Sequence, residues 1–217
     1  ALPAGAFLGG LATTALLYAV ATRDGRTSVT ILLLAGIAVS ALAGAGTGIL
    51  VYLSDDRQLR DLTFWSLGSF GGTTWSKLAA TGPLLALALV GALTLARALD
   101  ALVLGEAEAQ HLGIPVERMK AAAVVLTALA VGAAVATAGV IGFVGIVVPH
   151  LVRLIAGPAH GRVLPASALL GAALLAGADT IARVIVAPAE LPIGIVTALI
   201  GAPVFLHLLI GRGTRLA

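Results

Sequence analysis

Residues 121–152 read AAAVVLTALAVGAAVATAGVIGFVGIVVPHLV, 32 residues without Asp, Glu, Lys or Arg, and how often this stretch crosses a bilayer decides the fold. About 20 apolar residues in a helix cover the hydrocarbon core. The run is therefore too long for one upright crossing and too short for two ordinary ones. Its middle, Gly139-Val-Ile-Gly142-Phe-Val-Gly145, is followed by Pro149. Glycine in a helix interior costs about 1 kcal/mol, and proline removes a backbone donor and displaces the preceding turn. The run is expected to break within residues 139–145.

The rest of the chain is equally apolar. Of its 217 residues 59% are hydrophobic and 11% charged, and the mean hydropathy is +1.09, far outside the range of soluble globular domains. Residues 2–21, 27–54, 78–96 and 191–211 are further uncharged runs of crossing length. Barrel strands would alternate polar and apolar over about 10 residues, whereas these runs are apolar on every side. The expected fold is all-α, a polytopic transmembrane helical bundle, with residues 1–217 as a single transmembrane domain.

Lys and Arg concentrate in cytoplasmic loops of membrane proteins, and that asymmetry tests the break. With it, nine basic residues (Arg23, Arg26, Arg97, Arg118, Lys120, Arg153, Arg162, Arg212, Arg215) fall inside against four outside (Arg57, Arg60, Lys77, Arg183). Without it the distribution is six against seven. Seven crossings follow, near residues 2–21, 29–53, 78–96, 121–138, 143–156, 164–186 and 191–210, the first running inward and the C-terminus cytoplasmic. The fifth is too short to face lipid along its whole length, so protein is expected around it.

Two segments do not span. On the outer side, residues 54–76 open with Asp55, Asp56, Arg57, Arg60 and Asp61 and continue into an aromatic, Gly-rich stretch, Phe64-Trp65-Ser-Leu-Gly68-Ser-Phe70-Gly71-Gly72-Thr-Thr-Trp75. This reads either as a short interfacial helix anchoring the next span or as a half-inserted helix lining a pathway, its small residues admitting close backbone approach. On the inner side, residues 97–120 hold seven of the chain's 13 basic and 10 acidic residues. Within them Glu106 and Glu108 suit a helix N-terminus, Gly113 is a helix stop, and Pro115 with Glu117 opens another helix. Two short helices joined at Gly113 would make a compact cytoplasmic knob and a docking surface, where a plain solvated connector is the simpler alternative.

Several functions are excluded. The net charge of +3 and pI near 10.0 come from basic residues scattered at span ends, without the basic stripe of a nucleic-acid binder. Zero Cys excludes disulfides, thiol catalysis and Cys-based zinc sites. No Gly-Lys-Ser/Thr phosphate loop exists, since Lys77 follows Ser76 and Lys120 follows Met119. A membrane-embedded enzyme would need an ionisable dyad or metal cluster within the spans. Only Asp179 with Arg183 and the lone histidines (His111, His150, His160, His207) qualify, and none forms a His-Glu-x-x-His or Ser-His arrangement. No catalytic or metal-binding residue is expected. Such an enzyme and a passive channel are the alternatives from other classes. Gly44, Gly46 and Gly48 have the spacing of close helix packing, and Glu190, between Pro188 and Pro192, reads as a residue pinning a turn.

Four separated motifs, in order, carry a resemblance: Glu106-Ala107-Glu108-Ala-Gln-His111-Leu112-Gly113-Ile114-Pro115; Gly139-Val-Ile-Gly142-Phe-Val-Gly145-Ile-Val-Val-Pro149-His-Leu-Val-Arg153; Ala178-Asp179-Thr-Ile-Ala-Arg183; and Ala189-Glu190-Leu-Pro192-Ile-Gly194-Ile-Val-Thr197-Ala-Leu-Ile-Gly201-Ala-Pro203. The chain resembles, from its first span to its last, the permease subunits of ATP-binding-cassette importers for iron-siderophores, cobalamin and heme. It is most similar to the heme branch in Phe64-Trp65-Ser-Leu-Gly68-Ser and in residues 106–120. Siderophore and cobalamin branches stay open.

The resemblance implies a homodimer with a pathway at its two-fold axis in the bacterial inner membrane. It also implies two cytoplasmic ATPase subunits that hold ATP and Mg, a periplasmic substrate-binding protein, heme as cargo, and no cofactor on this chain. The family's permease has further spans ahead of these, so an N-terminally incomplete chain is expected. Glu106, Ala107, Glu108, His111, Leu112, Gly113, Ile114 and Pro115 match the family's ATPase-coupling helices, with Leu104, Ala107, Leu112 and Ile114 as apolar contacts. Arg183 matches an arginine that meets the binding protein; Asp179, four residues earlier on the same helix face, would orient it. Gly68, Gly71, Gly139, Gly142, Gly145 and Pro149 are the expected pathway or hinge positions.

Overall fold

The first two spans are tied at one end by a two-residue hairpin. In the computed structural model, which describes residues 2–23, 25–185 and 191–213 with side chains for 4–23, 25–185 and 191–208, α1 (Leu2–Ala21) leads into β1 (Thr22–Arg23) and β2 (Arg26–Thr27). Thr22 pairs with Thr27 and Arg23 with Arg26. α2 (Val29–Leu53) follows, and the Ser28 hydroxyl accepts from the Ile31 N–H, closing one of the orphan donors of its first turn. Glu190, Arg215 and the Arg212 side chain lie outside the described residues.

The outer segment folds as α3 (Asp56–Leu67). A reciprocal cap starts it: Asp55 Oδ1 accepts from the Gln58 N–H at 2.7 Å while Gln58 Oε1 accepts from the Asp55 N–H at 3.4 Å. After α4 (Trp75–Thr94) come α5 (Ala96–Leu102), α6 (Glu106–His111) and α7 (Val116–Ala138). The chain ends in α8 (Val144–Ala156), α9 (His160–Ile185) and α10 (Ile193–Gly213). Among the described residues five helices are long and apolar enough to cross a membrane, and Val144–Ala156 and Ile193–Leu208 are shorter apolar helices at the fifth and seventh expected crossings. The fold is a helical membrane bundle.

The break in the 32-residue run is present. Residues 139–143 are non-helical, with Gly139 at φ +73 and Phe143 at φ +67. Pro149 breaks nothing: it lies inside α8, as Pro83, Pro165 and Pro203 lie inside α4, α9 and α10. The helix starts that differ most from the sequence expectation are those of α9 and α7. α9 begins at His160, and α7 begins at Val116, so the second short helix expected after Gly113 is the first turn of a span.

Two compact units divide the chain, one of residues 1–63 and 75–137, the other of residues 64–74 and 138–217. In the first, α7 packs between α1 and α4, with Phe7 against Gly132, Leu126 against Gly91, and the Thr137 hydroxyl donating to Thr81 at 3.0 Å. α2 buries no residue, and Gly44, Gly46 and Gly48 face open space rather than a neighbouring helix. In the second unit, Val148 and Val152 of α8 pack on Val163 of α9, and Ala178 and Ala182 of α9 pack on Ile193 and Val196 of α10.

Candidate functional site

The inner segment is shaped by two glycines. Gly105, at φ +112, precedes α6, and its carbonyl accepts from Ala109 N–H at 3.0 Å. Glu106 and Glu108 occupy the first turn, where they complement the helix dipole. At the other end Gly113 takes φ +81, its N–H donates to the Gln110 carbonyl at 2.9 Å, and the Ile114 N–H donates to Ala109 at 3.1 Å. This pair of bonds is a Schellman closure. Ile114 then packs with Leu102 on the buried cluster of Ala101, Ala109 and Val116.

That closure decides what the segment presents. Ala107, Glu108, His111, Leu112, Gly113 and Pro115 are exposed. Leu104 and Leu112 are 66% and 64% exposed and Val103 stands out beside them, an apolar edge on a charged element. Ile114, expected among the outward contacts, turns inward instead. Glu106 is committed to an internal ion pair, with Oε1 2.7 Å from Lys120 Nζ.

Lys120 was given no role by sequence reasoning. It is 8% exposed, one of the few buried charged or polar residues described. Its ammonium donates to Glu117 Oε1 at 3.2 Å and to the Thr27 carbonyl at 2.9 Å, in addition to Glu106. Glu117 Oε2 in turn accepts from the Thr27 N–H at 2.9 Å. The signal that was available is Glu117 three residues before Lys120, a helical ion-pair spacing. Nothing in the sequence points to Thr27.

A second constellation surrounds the break after Ala138. The Ser69 N–H donates to the Ala138 carbonyl at 2.8 Å and the Ile193 N–H to the Gly68 carbonyl at 3.1 Å. Those bonds join the end of α3 to the break and to the start of α10. Glycines make the approach possible: a Cβ on Gly139 would collide with the Trp65 carbonyl oxygen, and one on Gly194 with that of Leu67. Gly68, at φ +69, would place a Cβ 2.6 Å from the Val140 carbonyl oxygen. Of the expected pathway or hinge positions, Gly68 and Gly139 meet here. Gly142 and Gly145 face open space, Gly71 is exposed in the turn after α3, and Pro149 sits within α8. Gly194 and Phe143 were not singled out beforehand. Phe143, at φ +67 and ψ −35, is the centre of a tight turn closed by the Val144 N–H donating to the Gly142 carbonyl at 2.9 Å, a rare and strained conformation, and its side chain lies against Gly201 of α10.

On α9 Arg183 Nε donates to Asp179 Oδ2 at 2.8 Å, with the arginine side chain half-exposed. Among the described residues no group of three or more His, Asp or Glu is placed to hold a metal ion.

The chain is similar along most of its length to known permeases. A permease of Yersinia pestis, the hemin transport system permease protein HmuU, is 48% identical over 206 residues, 95% of this chain and 61% of that protein. The cobalamin import system permease protein BtuC of Halobacterium salinarum is 43% identical over 97% of this chain and 56% of its own length. The vitamin B12 import system permease protein BtuC of Vibrio cholerae is 44% identical over 95% and 62% respectively. The chain thus spans about three fifths of the length of the curated relatives it matches. A solved ABC transporter assigned to the metal-chelate type, in an inward-facing conformation, superposes with a TM-score of 0.87 at 33% identity, covering 96% of this chain and 71% of that one. The family model described as the FecCD transport family matches residues 1–211, and the chain belongs to that family.

Proposed function

We propose that this chain is the transmembrane permease subunit of an ATP-driven importer, the whole of it acting as one permease domain in the bacterial inner membrane. It works as a homodimer with two cytoplasmic ATPase subunits, which hold ATP and Mg, and a periplasmic binding protein that delivers heme. The observation that carries this reading is the family match along the chain together with α6, a short helix closed at both ends by glycines and edged by exposed Val103, Leu104 and Leu112. An ATPase groove receives that edge, and closure of the ATPase pushes α6. Charge distribution supports placing α6 and the chain's tail on the cytoplasmic side.

On the opposite side Arg183, oriented by Asp179, meets an acidic side chain of the binding protein. Charge pairing of this kind sets encounter rate and register more than affinity. Heme as cargo is supported by the 48% identity to the hemin permease; cobalamin is the second reading, supported by 43–44% identity to the cobalamin and vitamin B12 permeases, and ferric siderophores complete the set.

The test is reconstitution in liposomes with the ATPase and the binding protein of the same importer. ATP hydrolysis and uptake stimulated by heme, and not by cobalamin or a ferric siderophore, is expected. Stimulation by cobalamin alone moves the cargo to the second reading. A chain that recruits no ATPase and passes solute without ATP is a channel.

A further inference from the structure

Thr27 and Lys120 have no part in the function proposed above, yet they form the most completely satisfied polar cluster described in the chain. Lys120 is buried, and each of its three N–H donors has an acceptor: Glu106 Oε1 at 2.7 Å, Thr27 O at 2.9 Å and Glu117 Oε1 at 3.2 Å. Glu117 uses its second oxygen for the Thr27 N–H. The Thr27 peptide groups are thus gripped on both sides, N–H by carboxylate and C=O by ammonium. The Thr27 hydroxyl lies 3.0 Å from that of Thr22 across the hairpin and 3.4 Å from the Tyr18 hydroxyl of α1. Three pieces distant in sequence, the α1–α2 hairpin, the first residue of α6 and the first turn of α7, meet on one ammonium.

The chain's own connections do not make α6 rigid with its surroundings. Gly105 and Gly113 flank it, both at positive φ and both in open space. Glycine puts few steric limits on rotation at either joint, beyond the bonds of the Gly105 N–H to Leu102 and of the Gly113 N–H to Gln110. What holds α6 is the small apolar cluster around Ala109 and the Glu106–Lys120 pair. Lys120 is the buried member of this set, its side chain 9% exposed against 53% for Glu106 and 30% for Glu117, so losing it removes the one group that all three pieces share.

We propose that Lys120 is a positioning residue that clamps α6 to the hairpin between α1 and α2, so that displacement of α6 carries those two spans with it. The proposal rests on the reading of α6 as the ATPase-coupling element. Without the clamp a push on α6 is absorbed by rotation at Gly105 and Gly113. With it the push reaches α1 and α2 through Thr27.

The chain has no cysteine, so spin labels can be placed at Arg23→Cys on the hairpin and Gln110→Cys on α6, both exposed positions, in the chain reconstituted with its ATPase. Pulsed EPR on dimers in which only one protomer carries the label pair is expected to give one narrow distance that stays unchanged between the nucleotide-free and ATP-bound states. Lys120→Gln is expected to broaden that distance and to lower transport per ATP hydrolysed by roughly tenfold, the size of a typical coupling energy between sites, while the yield of assembled complex and its basal hydrolysis stay. Glu106→Ala, which leaves Lys120 its Glu117 and Thr27 partners, is expected to broaden the distance in the same way. An unbroadened distance in both variants, or transport and basal hydrolysis falling together with yield, overturns the clamp and leaves a brace for folding. A wild-type distance that changes on ATP binding overturns it as well. A wild-type chain that recruits no ATPase overturns the importer reading instead, and the nucleotide-free distances still report on the clamp.

Discussion

Glycine is used in two different ways within five residues of this chain, and the difference is measurable. Gly139 has φ +73 and lies so close to the Trp65 carbonyl that a methyl group has nowhere to go, whereas a Cβ at Gly142 meets nothing within 4 Å. Gly139→Ala combines left-handed strain with overpacking against backbone and is expected to destabilise by about 2–4 kcal/mol. Gly142→Ala is expected to change stability by less than about 0.5 kcal/mol, as substitutions away from packed features do. Thermal unfolding of the detergent-solubilised chain measures both; equal effects would mean that the contact with Trp65 is not part of the folded state. The sequence marks both glycines as breakers and does not separate them. What separates them is the backbone of residues 65–68, more than 70 positions earlier, and no local pattern carries that information.

Element boundaries were legible where a local signal ends a helix and illegible where hydropathy was the only guide. The stop at Gly113 is such a signal: left-handed backbone that glycine adopts without penalty, followed by an apolar residue that folds back on the helix. The break after Ala138 was legible for the same reason. α7, by contrast, was expected to start five residues late, because Glu117, Arg118 and Lys120 resemble a loop to a hydropathy scale. Charge marks where lipid ends, not where a helix ends. Lys120 went unnoticed with it, since its partners Glu106 and Thr27 come from other elements. Gly113→Pro tests the α6 stop. Proline fixes φ near −65° and lacks the N–H that Gly113 gives to Gln110, so the closure is lost. ATP hydrolysis by the assembled complex is expected to continue with little uptake; normal uptake per ATP in this variant would separate the Schellman closure from coupling.

At the scale of the molecule, the short α8 has the largest consequence. Its 13 residues rise about 20 Å against a hydrocarbon core of about 30 Å, so a crossing by α8 would place residues 139–143 at membrane depth. Irregular backbone is tolerated there only when protein satisfies it. The Ala138 carbonyl is met by Ser69, the Gly142 carbonyl by Val144 and the Phe143 carbonyl by Val147, and Ile141 packs on the cluster around Ala178 and Ile193. The end of α3 therefore serves the broken span as its missing wall, which joins the two readings of the outer segment: α3 begins as a charged, capped helix and its end, at Trp65 and Leu67, lies against the break and the start of α10. If α8 is a crossing, the turn before α4 and the turn after α8 lie on opposite faces of the membrane. Thr73→Cys is expected to react with an impermeant maleimide from outside in intact cells, and Pro158→Cys only in inverted vesicles. Labelling of both from the same side would make residues 121–152 a single crossing, reverse the side on which α9 begins, and remove Arg183 from the face proposed for a binding protein.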